Sequence, residues 1–470
     1  MKYKILPLFL LSAVIFFSGC DKEDDISESS HGHSGRRTKA DYTVHEFIHE
    51  TFGTYYYWAD NVPARMDYSA YEYPEDILES FRAQEDRFSA VMDNYSETLN
   101  SFNNDLKTDG LDYDLSYGDA SKTSVIAIVK YVYDNSPAKA AGMQRGDVIY
   151  KVNGELLTPN NYYDLLGSSS CVYTYRKLTK DSEGEVTLSK DDLVSESITK
   201  TDMKIDPVLQ TKVFNLEGHR VGYFLYDGFT ESTETIMKAV ENLEAQQITD
   251  LVLDLRLNGG GYITTLDTMA SMLVPDGNEG NLFIEMSYNE LLGKYLEMEE
   301  GKDFNKEKFV KISPKLNLQT LYVLVSSSSA SASEELISGL MPYMNVVLIG
   351  ERTYGKFTAN SLINCEKKGY DSNGTPYSEW AAYVSIACCK NSKGEMNFVN
   401  GFEPNYEVED DYSELGTEDE PLLKQALTLI SGGGALAKKA SEKKQLFGEK
   451  FASFGKPEIA QAALIKTLVK

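Results

Sequence analysis

Two groups of residues in this 470-residue chain have the types and spacing to do chemistry. The first is the turn Ser326-Ser327-Ser328-Ser329-Ala330-Ser331-Ala332-Ser333-Glu334, followed at a distance by Thr353-Tyr354-Gly355-Lys356. A serine at a helix start has backbone N–H groups nearby that can stabilise an oxyanion. The plain alternative is a helix cap, which accounts for one serine but not for a whole turn of small residues. A serine nucleophile needs a base. The histidines are His31, His33, His45, His49 and His219, all before this turn, and no context supports a Ser-His-Asp triad. Lys356 is the nearer candidate, in a tight turn after the apolar Val346-Val347-Leu348-Ile349. A lysine serves as a base near neutral pH only where burial lowers its pKa from ~10.4. Most lysines are solvated surface residues.

The second group is His45-Glu46-Phe47-Ile48-His49, an HExxH pattern that in zinc enzymes supplies two ligands and a base. At roughly 100° per residue, Val44, Phe47, Ile48, Phe52 and Tyr55 gather on one face of a helix. His45, Glu46 and His49 then fall on the polar side, which suits a solvated face as well as a metal. The longer metzincin pattern fails at Phe52 and Tyr55, and no third ligand has identifiable context. A glycine triplet, Gly259-Gly260-Gly261, follows the apolar Leu251-Val252-Leu253-Asp254-Leu255. No Lys-Ser/Thr comes after it, so a phosphate-binding Walker loop is excluded.

The elements that must position these residues fall into blocks. Residues 41–105 predict a small helical domain, with one helix from Val44 to Tyr55 and another across Pro74 to Met92. Residues 106–205 predict strands and turns, including Val125 to Val129 and an Asn153-Gly154 turn. Residues 206–435 alternate strands (Val221–Tyr226, Leu251–Leu255, Leu321–Val325, Val346–Ile349) with helices (Thr233–Ala245, Thr264–Leu273, Ser331–Met341). That is α/β order, with function expected where loops leave strand ends. Residues 436–470 are lysine-rich and predict a helical or frayed tail of no assigned role.

The first twenty residues speak to compartment. Lys2 and Lys4 precede an apolar run from Ile5 to Phe17, and Phe17-Ser18-Gly19-Cys20 ends it. This is a signal peptide, too short to span a bilayer comfortably. A cysteine after Ser-Gly resembles a bacterial lipobox, with Cys20 lipidated. The run Asp21-Lys22-Glu23-Asp24-Asp25 predicts a solvated tether, with a surface-export address as the alternative, and residues 21–40 a linker. The formal charge of −26 becomes −28 once Lys2 and Lys4 are removed. That acidity argues against a nucleic-acid partner. Cys171, Cys365, Cys388 and Cys389 form no zinc spacing and no disulfide scaffold.

Two stretches carry a family resemblance. Asn135-Ser136-Pro137-Ala138-Lys139-Ala140-Ala141-Gly142-Met143, then Arg145-Gly146-Asp147-Val148-Ile149 to Asn153-Gly154, resembles a PDZ domain of the bacterial protease type. Such domains take an extended peptide as an added strand. By resemblance the loop Gly110-Leu111-Asp112 is the peptide-carboxylate site, and its Asp departs from the usual Gly-Leu-Gly. The serine turn, Gly355-Lys356 and Asp254-Leu255-Arg256-Leu257-Asn258-Gly259-Gly260-Gly261, in the family's order along the chain and after the PDZ-like stretch, resemble the carboxyl-terminal processing (tail-specific) peptidases. The resemblance implies a multidomain α+β protein with an N-terminal helical domain, a PDZ-like β domain and an α/β catalytic domain of the ClpP/crotonase type. It implies Ser331 as nucleophile, Lys356 as base, and Gly260 with Ala332 as oxyanion donors. Where the family has a lysine-orienting Gln, this chain has Asn360. The expected function is a metal-free, cofactor-free serine endopeptidase of the bacterial cell envelope, acting on protein or peptide substrates and lipid-anchored at the membrane. The alternatives are a weakly catalytic PDZ peptide-binding lipoprotein and a zinc peptidase using His45-Glu46-His49.

Overall fold

A computed structural model describes residues 42–180, 186–434, 450–454 and 463–465. Cys20, the leader and the 21–40 linker lie outside the described residues. Among the described residues, no helix is long and apolar enough to cross a membrane.

The N-terminal helix, Thr43–Tyr55, buries Val44, Ile48 and Phe52. Together with Tyr56, Ile77, Leu78 and Phe81 they join the same apolar core as Leu253, Leu266 and Leu336 of the later α/β part. His45 is not on a solvated face: it is buried, beside the rings of Tyr42 and Tyr68, which close over that side of the helix. The helix expected over Pro74–Met92 stops at Phe81. The Asp86 carboxylate accepts from the N–H groups of Phe88 and Ser89 (3.0 and 2.9 Å) and so folds the chain into a turn that competes with helix. Ala90–Met92 then becomes a strand paired with Ala381–Tyr383.

Next comes a β domain whose strands lie in the order Leu193–Val194, Tyr173–Lys180, Asp147–Val152, Val125–Val132, Leu111–Tyr117. Asn153 and Gly154 both have positive φ (54° and 84°), as the tight Asn-Gly hairpin requires. Leu111, Leu115, Val125, Ile149, Val152 and Tyr173 fill a separate core.

The α/β part has a six-stranded sheet among the described residues, ordered Val208–Leu216, His219–Tyr226, Asp250–Asp254, Thr320–Val325, Asn345–Gly350, Tyr406–Glu407. All of its pairings are parallel except the first hairpin. The helices Glu234–Ala245, Ile263–Leu273, Ala332–Leu340 and Pro421–Ile430 accompany it. Against it lies a second, mainly antiparallel sheet. Its long central strand, Ala381–Asn391, pairs with Thr358–Asn364 on one side and Leu282–Tyr288 on the other. Gly260–Tyr262 also belongs to this sheet. The tail is not helical where it is described: Lys450–Phe454 and Ala463–Ile465 are strands. Each takes its hydrogen bonds from a sheet edge elsewhere in the chain, a partner that local sequence does not specify.

Candidate active site

Ser331 stands between the parallel strand Thr320–Val325 and the helix Ala332–Leu340, with φ 59° and ψ −112°. A non-glycine residue rarely adopts this backbone, and such strain is characteristic of sites that must present a side chain. Lys356 follows the next parallel strand, in a turn where Gly355 has φ 89°. A Cβ on Gly355 would sit 2.7 Å from the Gly401 nitrogen, so the turn is closed to larger residues. The two turns meet: Lys356 Nζ lies 3.5 Å from Ser331 Oγ. Both residues are buried, with relative exposures of 1 % and 0 %.

One carboxylate ties the two turns together. Glu334 accepts from the N–H of Ser331 (2.9 Å), the hydroxyl of Thr353 (2.5 Å), and the N–H groups of Gly355 (2.7 Å) and Lys356 (2.8 Å). Burial raises its pKa, and these four donors oppose that rise. The sequence carries a signal for this residue in the spacing Ser331-x-x-Glu334, a capping box.

The Lys356 ammonium is desolvated by burial, and its pKa falls from 10.5 to about 7; Cys389, Asp86 and Glu334 oppose that fall only in part. Rings of Phe88 and Tyr383 lie 5.7 and 5.5 Å from Nζ. Nζ donates to the Thr358 carbonyl (3.1 Å) and to Asn360 Oδ1 (2.9 Å). The shorter Asn side chain reaches the lysine because the strand pairing shifts register between Ala359 and Asn360. Such a bulge bends the strand and re-aims a side chain. Asn360 is fixed from behind: its Nδ2 donates to Ser385 Oγ (3.1 Å), whose hydroxyl reaches Asp86 Oδ1 (3.3 Å). Asp86 Oδ2 in turn accepts from Tyr56 (2.7 Å). Neither Ser385 nor Asp86 carried a local sequence signal, and they lie far apart in the chain.

Gly260 opens the strand Gly260–Tyr262, and Ala332 directly follows Ser331. The Gly260 N–H donates to Asn258 Oδ1 (2.9 Å), and Asn258 Nδ2 to the Tyr226 carbonyl (3.1 Å). Ala332 opens its helix, where backbone N–H groups have no intrahelical acceptor. Gly261 has φ 142°, and a Cβ there would lie 2.1 Å from the Phe229 oxygen. The preceding Asp254 and Arg256 are structural: the buried Arg256 guanidinium pairs with Asp254 (2.9 Å) and with Glu420 (2.7 and 3.0 Å).

The other candidates lie elsewhere. His49 has both ring nitrogens engaged, by Tyr68 (2.9 Å) and the Pro63 carbonyl (2.6 Å), and Glu46 pairs with Lys367 (2.7 Å). Among the described residues no group of three His, Cys, Asp or Glu converges as metal ligands do. In the β domain, Gly110 must be glycine, since a Cβ would fall 2.0 Å from that of Ser136. Its N–H donates to Thr108 Oγ1 and that of Leu111 to Asp109 Oδ1, each at 3.0 Å. Asp112 pairs with Lys130 at 3.4 Å. Cys171, Cys365, Cys388 and Cys389 are buried and form no disulfide among the described residues.

Comparison with known proteins agrees with this geometry. Three family models match: "Peptidase family S41" over residues 220–408, "Peptidase S41 N-terminal domain" over 43–90, and "PDZ domain" over 128–171. The chain is 27% identical over 314 residues to the carboxy-terminal processing protease CtpA of Bacillus subtilis, covering 66% of this chain and 58% of that protein. It is 26% identical over 269 residues to the chloroplastic C-terminal processing peptidase of Tetradesmus obliquus, covering 54% and 53%. It thus spans little more than half the length of these relatives. A crystal structure of a putative S41 protease from Bacteroides fragilis superposes with a TM-score of 0.67 at 24% identity, covering 82% of this chain and 97% of that one, and shares its fold. Residues 220–408, which hold Ser331 and Lys356, are thus of the peptidase family S41 kind, and they follow a segment of the PDZ kind at 128–171.

Proposed function

We propose that the chain is a serine endopeptidase that cleaves extended protein segments with Ser331 as nucleophile and Lys356 as base. The observation that carries this is the desolvated Lys356 Nζ, 3.5 Å from Ser331 Oγ. With its pKa drawn down to about 7, the lysine is substantially neutral at physiological pH. Neutral Nζ takes the Ser331 proton as Oγ attacks the scissile carbonyl. The oxyanion draws on the N–H of Ala332 and on that of Gly260, which it takes over from Asn258. The lysine ammonium then protonates the leaving amine. Water, deprotonated by the same lysine, hydrolyses the acyl ester and frees Ser331. Asn360 acts as a positioning residue for Nζ.

We further place the enzyme at a bacterial cell envelope, tethered through lipidated Cys20. The leader and Ser-Gly-Cys support this reading, and metabolic labelling with a palmitate analogue, lost in Cys20→Ala, tests it.

The test of the peptidase reading is digestion of unfolded casein by the chain lacking residues 1–20, as wild type, Ser331→Ala and Lys356→Ala, with and without EDTA. Activity lost in both variants and indifferent to chelator is the expected result. Cleavage that survives Ser331→Ala and falls with EDTA overturns it in favour of His45 and His49.

A further inference from the structure

Two segments beyond Gly434, Lys450–Phe454 and Ala463–Ile465, occupy sheet edges on which a substrate would be expected. Lys450–Phe454 pairs antiparallel with Leu111–Tyr117, with Lys450 opposite Ser116 and Phe454 opposite Tyr113. Leu111–Tyr117 is the strand that follows the peptide-carboxylate loop, so the tail adds to the PDZ sheet as a bound peptide does. Further on, Ala463–Ile465 runs parallel to Gly260–Tyr262, with Ala463 opposite Gly260. Ile465 also pairs with Asn360. One tail therefore lies against the PDZ edge, the oxyanion strand and the strand that orients the catalytic lysine.

Charge and loop chemistry fit the same occupant. From Ala435 to the end there are eight lysines against three glutamates, in a chain of net charge −26. The Lys450 ammonium reaches Asp114 of the PDZ strand (3.0 Å) and Ser327 Oγ of the nucleophile turn (3.1 Å). It thereby bridges the two domains at the mouth of the site. The loop that would hold a free terminal carboxylate has its N–H groups taken. Asp109 stands in the place of such a carboxylate, accepting from Leu111 N–H and, at 2.5 Å, from the Tyr173 hydroxyl. The tail fits this arrangement, since Phe454 is not a chain terminus: sixteen residues follow it. Ser331, Lys356 and Gly260 are all buried in this state, whereas a peptidase must open them to a substrate backbone.

We infer that the C-terminal tail is a tethered, lysine-bearing occupant of the PDZ edge and the catalytic cleft, which substrates must displace. The order of its two strands argues for an inhibitor rather than a substrate. In a protein cleaved upstream of a PDZ-bound terminus, the PDZ segment follows the scissile segment; here it precedes the segment in the cleft. A tethered ligand acts at an effective concentration on the order of millimolar, so modest affinity suffices to hold the site closed. The kinetic form of this inference rests on the peptidase reading above; its binding form does not.

The test has two arms. In the first, kcat/KM for an unstructured fluorogenic peptide is compared in the chain from residue 21, in a form ending at Gly434, and in the chain carrying Lys450→Glu. The shortened form is expected to gain about tenfold, chiefly through KM, and Lys450→Glu a smaller part of that. In the second, a labelled synthetic peptide of residues 446–470 is titrated into the form ending at Gly434 that also carries Ser331→Ala. Saturable binding that weakens with Asp114→Lys is expected. Equal kcat/KM in all three forms together with no binding overturns the inference. So does a shortened form that loses activity and regains it with the peptide, because the tail would then complete the site instead of blocking it. If the shortened form fails to fold, Lys450→Glu in the whole chain decides the first arm. If nothing cleaves yet the peptide binds, tail occupancy stands and the peptidase reading falls.

Discussion

A lysine can serve as a general base only when its surroundings deny it a proton, and the surroundings that would let Lys356 do so can be named. Burial is the largest cause, with Phe88 and Tyr383 as aromatic walls, while the nearby acidic groups only partly restore the proton. The neutral form grows as pH rises through about 7, so kcat is expected to climb across pH 6–8 and then level, read from a steady-state pH profile. Ser385 keeps Asn360 Oδ1 facing the lysine by accepting from its amide. Ser385→Ala frees that amide to turn and is expected to lower kcat about tenfold or more with KM unchanged. Ser385→Thr, which keeps the hydroxyl, is expected to recover most of the loss; a KM effect alone would count against positioning. Glu335 makes a second residue-scale case. Both of its oxygens are buried without a hydrogen-bond partner, and burial, with Glu334 next to it, raises its pKa to about 8. The folded state therefore holds this proton where the unfolded chain has released it. The resulting stability is present below about pH 4.5 and lost as pH rises toward 8. Glu335→Gln is expected to melt close to wild type at pH 5 and several degrees higher at pH 8.5, measured by scanning calorimetry. Ser331 and Lys356 were legible in the sequence because their turns are locally odd: six serines on one, a lysine after Gly on the other. Ser385 and Asp86 were not, because nothing beside either residue marks it and only the fold brings them together.

At the scale of elements, most strands and helices followed from apolar runs and their punctuation. The helix Ser331–Met341 was expected and Ala332–Leu340 is found; Val346–Ile349 was expected and Asn345–Gly350 is found. The failures share a cause. The stretch after Phe81 has helical spacing, yet Asp86 bonds to its own downstream backbone and hands Ala90–Met92 to a sheet. The tail has no strand pattern of its own, and its pairing depends on edges supplied by other domains. The glycine strand was legible as a loop, but the reason for its third glycine is tertiary. Gly261 approaches Phe229 so closely that any Cβ overlaps the Phe229 carbonyl. Tyr262 N–H bonds that carbonyl at 2.7 Å and Phe229 N–H bonds the Gly260 carbonyl at 2.8 Å, so the strand cannot move away without losing both. Gly261→Ala is accordingly expected to cost about 3 kcal/mol or more in urea unfolding, from lost hydrogen bonds and strained backbone. A loss below 1 kcal/mol would show that the strand can yield.

At the scale of the molecule, the PDZ domain is joined to the α/β domain by a partly buried ionic knot. Arg145 donates to both Asp410 oxygens at 2.5 Å and to the Ser413 carbonyl at 2.7 Å. Although burial works in the other direction, Arg145 and Arg256 hold Asp410 well below the usual carboxylate range. Arg145 belongs to the Arg-Gly-Asp run that marked the PDZ domain in the sequence; its reach into residues 410–413 was not legible there. Arg145→Ala leaves Asp410 with Arg256 as its cationic partner and is expected to loosen the domain pair, seen as a larger radius of gyration in small-angle scattering and faster tryptic nicking between the domains. An unchanged scattering curve would mean that the apolar contacts suffice.

The N-terminal segment has a consequence of timing. Asp86 and Phe88 complete the surroundings of Lys356, yet 299 positions separate Asp86 from the Ser385 it holds, and Lys356 lies between them. A ribosome delivers these parts in an order that leaves the lysine without its Ser385 support until the long central strand has been made. A half-synthesised chain, or a fragment cut free of its first ninety residues, holds serine and lysine but not the full surroundings that desolvate and hold the lysine. Under the proposed mechanism, competence would thus report that folding is complete, and unfinished copies would not cleave.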